Sequence, residues 1–165
     1  MKRARVFVVI AVLVVAGVTW IDGQPRRPAD LLSPQDFHEI EQLVQSYTKG
    51  IDLGPEDASW VFTRDGVFLY NDRSVTGEKE LKAFYVNLRQ TNRSRTIRHV
   101  LSNLVVKATP GGGATGSVYL TTIEAPATIT AVSMYEDAYV KTAEGWRIKK
   151  RLYHQDLPVA TAKPQ

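Results

Sequence analysis

From residue 96 to residue 154 the chain reads as four consecutive strands separated by tight breaks. The strand-like segments are residues 96–108, 114–124, 129–141 and 146–154. The breaks are Pro110-Gly111-Gly112-Gly113, Pro126 and Ala143-Glu144-Gly145. Strands joined by so few residues fold back on themselves, because a parallel crossover needs a dozen residues or more. This run therefore demands an antiparallel meander. The glycine break is too short, and lacks the following helix, to be a phosphate-binding loop.

The chain before the meander is helical. Ser33-Pro34-Gln35-Asp36 is a helix start, with Ser33 as N-cap, Pro34 at the first helical position and Asp36 in the first turn. Phe37, Ile40, Leu43, Val44 and Tyr47 follow at helical spacing. Gly50 is expected to end or bend this helix, and Ile51-Asp52-Leu53-Gly54-Pro55 to form a turn. Pro55-Glu56-Asp57 opens a short second helix through Ala58, Trp60, Val61 and Phe62. Asp65-Gly66 signals a turn, and Val67-Phe68-Leu69-Tyr70 a short strand ended by Asn71-Asp72-Arg73. Thr76-Gly77 leads into a third helix with Leu81, Phe84, Tyr85 and Leu88 on one face. Helices first and a meander after them make an α+β domain. A curved sheet covered by helices on its concave side leaves a blind pocket, where small ligands usually bind.

The amino terminus is a separate matter. Lys2, Arg3 and Arg5 precede an almost wholly apolar run of about 16 residues, 6–21, closed by Asp22, Gln24 and Pro25-Arg26-Arg27-Pro28. Residues 1–28 thus form a signal peptide or membrane anchor plus linker, and the protein is expected to be exported or held at the cytoplasmic membrane. The domain spans 29–157, and 158–165 is a flexible tail. The net charge of +4 owes three basic residues and Asp22 to the leader, and becomes +2 without them. No dense basic run interleaved with aromatics appears, so no nucleic-acid partner is expected. There is no cysteine, which excludes disulfides and thiolate metal sites.

Chemistry points to the first strand of the meander. Side chains on a strand alternate faces, so His99, Leu101, Asn103 and Val105 are expected to share one face. His38, His99 and His154 lack metal-ligand spacing, and no serine or cysteine nucleophile motif is present. No metal and no cofactor is expected. Tyr135, Asp137 and Tyr139 share a face of the third meander strand, opposite Arg147, Lys149 and Arg151 on the fourth. A cross-strand ion pair accounts for them. Trp146, Ile148 and Leu152 are then on the opposite face.

The order of these motifs resembles the SnoaL-like branch of the nuclear transport factor 2-like superfamily. The matching residues are Tyr47 followed by Ile51-Asp52, and Trp60-Val61-Phe62-Thr63-Arg64-Asp65-Gly66-Val67-Phe68. Thr76-Gly77, Arg98-His99 with Asn103, Tyr135-Glu136-Asp137, Glu144-Gly145-Trp146-Arg147-Ile148 and Arg151 complete the set. The resemblance covers about residues 33–156 and implies a cone-shaped barrel with a hydrophobic cavity, often a homodimer built through the sheet. The family holds cyclases, dehydratases, isomerases, epoxide hydrolases and non-enzymatic binding modules, so fold alone does not give function.

The scytalone dehydratase-like branch implies that His99 matches a catalytic histidine, Asp52 the aspartate that orients a histidine, and Tyr70 a pocket tyrosine. Tyr47, Tyr70 and Asn103 are the expected pocket residues, around a small hydrophobic ligand. A carboxylate bonded to a histidine fixes its tautomer and raises its basicity. Such a pair removes a proton alpha to a carbonyl or protonates a leaving hydroxyl. That branch places a second histidine on the next strand, and residues 118–124 hold none. A ketosteroid-isomerase reading would use Asp137 as a protonated carboxyl. An epoxide-hydrolase reading would need Asp52, Arg98 and a third partner. Two functions follow: an exported dehydratase, isomerase or cyclase using His99 with Asp52, or a non-catalytic binding or dimerisation module.

Overall fold

The structure, a computed structural model, describes residues 31–53, 58–91 and 96–157. The leader, the linker, Pro55-Glu56-Asp57, the loop 92–95 and the tail 158–165 lie outside the described residues. The elements run α1 (Pro34–Leu53), a 3-10 turn (Ala58–Val61), β1 (Phe62–Tyr70), β2 (Arg73–Thr76), α2 (Gly77–Thr91), β3 (Ile97–Thr109), β4 (Gly113–Glu124), β5 (Thr128–Thr142) and β6 (Gly145–Leu157). One curved sheet has the order β2-β1-β6-β5-β4-β3. The expected α+β class and four-strand meander are present.

Four expectations change. The second helix is only the four-residue 3-10 turn, because Phe62 already belongs to β1, where it pairs with Ile148. The first helix does not stop at Gly50 but runs on to Leu53, so Asp52 is on its last turn rather than in a loop. Residues 73–76 are not part of a turn alone: they form β2, paired with β1 across Asn71-Asp72. Asp65-Gly66 does not turn the chain but lies within β1, where the pairing with β6 is irregular between Phe62 and Val67; the sheet is mostly antiparallel as expected, with β1 parallel to β6 and with β2 and β3 at its open edges.

Helix α1 is fixed to the sheet at both ends, each time by an aspartate. At its start Ser33 and Asp36 cap one another: Asp36 N–H donates to Ser33 Oγ at 3.0 Å, and Ser33 N–H to Asp36 Oδ2 at 3.0 Å. The other oxygen of Asp36 accepts from Lys141 Nζ at 2.7 Å and Trp146 Nε1 at 3.1 Å. That ties the helix to the base of the β5–β6 hairpin. The lysine, the capping serine and the indole together hold the Asp36 carboxyl well below the usual carboxylate range. The far end is tied by Asp52 to β3.

The core lies between the helices and the concave face of the sheet. Ile40, Leu43, Val44 and Tyr47 of α1, and Leu81 and Tyr85 of α2, meet Phe68, Val118, Leu120, Tyr135, Tyr139 and Ile148 of the strands. Aromatic rings fill much of it. Phe68 is within 6.4 Å, centroid to centroid, of Tyr85, Phe84, Tyr70 and Tyr135. Gly116 leaves room for the Tyr139 ring: a Cβ there would stand 3.1 Å from that ring and 2.7 Å from the Val105 carbonyl. The convex face carries exposed apolar side chains, among them Val100, Val105, Tyr119 and Ile129.

Two bulges set what each strand presents to the core. In β3, Ser102 pairs with Tyr119 and Val105 with Ser117, so Asn103 and Leu104 together oppose Val118. Asn103 takes φ +56°, the left-handed region that asparagine tolerates better than most residues. In β6, Lys150 pairs with Ala138 but Ile148 pairs with Tyr139, leaving Lys149 as the extra residue. Each bulge exchanges the two faces of its strand beyond that point.

Candidate active site

Asp52 is on the last turn of α1 and His99 near the start of β3. Asp52 Oδ2 accepts the backbone N–H of His99 at 2.8 Å, and Oδ1 bonds the ring nitrogen Nδ1. The carboxylate therefore grips one residue twice, through main chain and side chain. With Asp52 accepting at Nδ1, the neutral imidazole carries its proton there and its lone pair on Nε2. Such a ring is oriented and free at one nitrogen to take or give a proton. Asp52 is 7% exposed and His99 16%, so the pair is sheltered but reachable. A carboxylate in the last turn opposes the helix dipole by about 0.3–1 kcal/mol. Its presence there is explained by His99, not by helix stability.

The other sequence-predicted residues are placed elsewhere. Tyr47 is buried in the core, 1% exposed, with its hydroxyl 3.2 Å from that of Tyr85 and 3.5 Å from that of Tyr135. Tyr70 is half-buried and stacks on Tyr153 at 5.0 Å. Asn103 does not share the face of His99. The β3 bulge falls between them, so Leu104 and Val106 turn inward in place of Asn103 and Val105, and Asn103 is exposed. Among the described residues, the polar contacts of Asp52 and His99 are with each other alone. Arg98 is exposed and bonds its neighbour's carbonyl, Ile97 O, at 2.7 Å, so no Asp52–Arg98 arrangement forms.

The largest polar feature of the core is the ion pair Asp137–Arg151. Arg151 Nε donates to Asp137 Oδ1 and Nη2 to Oδ2, both at 2.7 Å. Both side chains are fully buried. The guanidinium sits in the corner between the rings of Tyr47 and Tyr135, which stand nearly perpendicular at 86°, each centroid 4.2 Å from its carbon. Among the described residues Nη1 is buried with no hydrogen-bond acceptor, and the ring faces beside the guanidinium carry negative potential toward it. Burial pulls the Arg151 proton affinity down, but Asp137, joined by Tyr47 and Tyr135, pushes it up, and the net direction is upward. The Tyr139 hydroxyl donates to Asp137 Oδ2 at 2.7 Å. Burial first, then neighbouring tyrosines or Asp137, push the hydroxyls of Tyr85, Tyr135 and Tyr139 up.

The expected cross-strand ion pair is thus present, but with one of the three cations. Lys149 pairs with Asp65 and Arg147 with Glu144. The β6 bulge puts Arg151 on the same inward face as Trp146 and Ile148, where strict alternation had put them on opposite faces. Both oxygens of Asp137 accept hydrogen bonds, so it cannot act as a protonated donor in an oxyanion hole. The aromatic corner around Arg151 was missed in the sequence. Its one visible signal is the alternation Tyr135-x-Asp137-x-Tyr139 facing an arginine in register.

Residues 34–152 match the family model of a SnoaL-like domain. No curated protein matches the chain. Among solved structures, a nuclear transport factor 2-like protein with a cystatin-like fold from Novosphingobium aromaticivorans superposes with a TM-score of 0.68 at 21% identity, covering 78% of this chain and 86% of that one. A Mycobacterium tuberculosis protein of unknown function gives 0.65 at 24%, covering 78% and 79%. A Novosphingobium aromaticivorans protein provisionally named as a scytalone dehydratase gives 0.64 at 19%, covering 78% and 96%.

Proposed function

The chain belongs to the SnoaL-like domain family of the nuclear transport factor 2-like superfamily, and from that premise we propose that it is a cofactor-independent lyase or isomerase acting on a small hydrophobic molecule. His99 is the acid–base group and Asp52 the residue that orients it. The observation that carries this reading is the double grip of Asp52 on His99, which leaves Nε2 as the reacting nitrogen. Dehydration, isomerisation and cyclisation of such molecules share one elementary step, removal of a proton alpha to a carbonyl. That step is read without knowing the substrate. A panel of cyclic and polycyclic ketones is incubated in deuterated buffer, and deuterium incorporation is followed by NMR. Exchange above the buffer rate with the native protein, lost in His99→Ala, is expected. Absence of acceleration with every ketone sinks the enzyme reading. The alternative, a binding module without turnover, then stands. It is favoured by the aromatic filling of the core and by β4, which carries no histidine.

We further propose that the protein acts as an exported or membrane-anchored homodimer. The leader at residues 6–21 supports the first part, and the exposed Val100, Val105 and Tyr119 on the convex sheet face support the second. Fractionation of cells expressing the full chain, with light scattering of the purified domain, tests both.

A further inference from the structure

Beyond the acid–base pair, we propose that the cleft between α2 and the β5–β6 turn is a second binding site, for a small amphipathic anion. The apolar body of the ligand rests on Trp60 and Val86, and its acidic group is held by Arg147 and Lys82. The cleft is half-open, with a volume of ≈ 1080 Å³, and Phe62 at the start of β1 is among its lining residues. That is the size of a site for a small organic molecule.

Charge and shape argue for this ligand class. The walls carry four cations, Arg64, Lys82, Arg89 and Arg147, against two carboxylates, Glu78 and Glu144. Glu144 stands 3.7 Å from Arg147 and is 77% exposed, so it holds that guanidinium weakly. Among the described residues Arg64, Lys82 and Arg89 form no ion pair. Arg147 is different from a mobile surface arginine. It is 19% exposed, and its Nη1 donates to the Trp146 carbonyl at 2.9 Å, which fixes the fork. A fixed guanidinium favours a planar, two-oxygen acidic group. Lys82, Val86 and Arg89 are spaced by four and three residues, so one face of α2 presents them together. Trp60 and Val86 are 46% and 42% exposed, an unusual position for a tryptophan beside uncompensated cations. A solvated basic helix face would not need them.

The site is separate from the acid–base pair. One wall is the turn between Thr142 and Gly145, at one end of the sheet. His99 pairs with Thr122, and Thr122 with Ala131, near the other end. The two share no lining residue.

The test uses two fluorescent probes of the same shape: 8-anilinonaphthalene-1-sulfonate and its uncharged counterpart N-phenyl-1-naphthylamine. The sulfonate is expected to bind saturably, at least tenfold tighter than the amine, and more weakly as salt rises. The double variant Lys82→Glu/Arg89→Glu alters two exposed side chains and should keep the native circular dichroism and melting temperature. It is expected to lose at least tenfold in sulfonate affinity, and Trp60→Ala to lose several-fold for both probes. The proposal is overturned by any of three results: no saturable sulfonate binding, equal affinity for the two probes, or sulfonate affinity within twofold of native in the charge-reversed variant.

Discussion

Asp52 and Asp137 each hold a nitrogen base, but the two pairs occupy opposite conditions. Asp137 and Arg151 are fully buried, bidentate and enclosed by the rings of Tyr47 and Tyr135. Asp52 and His99 are near the end of the sheet, with the imidazole partly open. Arginine does not release its proton under any ordinary condition, so the buried pair has nothing to exchange and serves to hold the core together. An imidazole, unlike a guanidinium, can take up and release a proton in water, and the Asp52–His99 pair is the one proposed above for chemistry. The same carboxylate is fully buried architecture in one place and, under the proposed function, orients an acid–base group in the other; the two differ in the base beside it and in the access of water.

The largest expected effect tests the first half of that contrast. Arg151→Ala leaves Asp137 charged and unpaired in the core and should cost about 3–5 kcal/mol, enough to unfold a domain of ordinary stability. Replacing both partners, as Asp137→Leu with Arg151→Met, should recover most of the loss, because a well-packed apolar pair avoids the desolvation of two ions. Urea unfolding checks both. A double variant as unstable as Arg151→Ala would show that the pair does more than fill and neutralise the core.

The second half is tested at His99. His99→Ala should lower the rate of ketone deuterium exchange by about 10²–10⁴-fold. Its stability should fall by no more than about 1–3 kcal/mol, the range for removing one partner of a sheltered bond. Asp52→Asn keeps an oxygen for the His99 backbone N–H but removes the charge beside Nδ1. It should keep the fold and lose most of the rate, as NMR exchange and thermal melting would read.

A pH titration sharpens the contrast from the side of the core. The Tyr85 and Tyr135 hydroxyls are pushed well above 10.0, first by burial and then by Tyr47. A group raised in the folded state contributes stability that is complete below its unfolded value and lost as pH climbs toward its folded value. Stability should therefore fall above about pH 10, and the tyrosinate absorbance of these rings should appear only as the protein unfolds. Early ionisation, with the fold intact, would mean that water reaches the rings around Arg151.

The smallest effect belongs to Asn103. Asn103→Gly suits the left-handed backbone and should change stability by less than about 0.5 kcal/mol. It should leave deuterium exchange untouched. A lost rate would return Asn103 to the site.

The sequence was most informative where neighbours in the chain are neighbours in space. The cap at Ser33 and Asp36, the helical spacing of Ile40, Val44 and Tyr47, and the four meander strands all follow from local rules, and each is present. It was least informative where one residue shifts a register. Alternation put Asn103 beside His99 and set Arg151 on the face opposite Trp146 and Ile148. A single bulge in β3 and another in β6 reversed both placements. Nothing in the spacing of those segments marks the extra residue, because a bulge is fixed by the pairing of one strand with another.

The α+β class, the meander, the family resemblance and the types of residue available for chemistry are all written locally along the chain. Hydrophobic period, capping and turn residues carry that information locally. Which aspartate meets which base is settled by long-range packing. Asp52 precedes His99 by 47 residues, and the pair exists because α1 runs past Gly50 and is tied at both ends to strands formed much later in the chain. Burial, and with it the division between a fully enclosed ion pair and a partly open one, belongs to the packed molecule rather than to any segment of it.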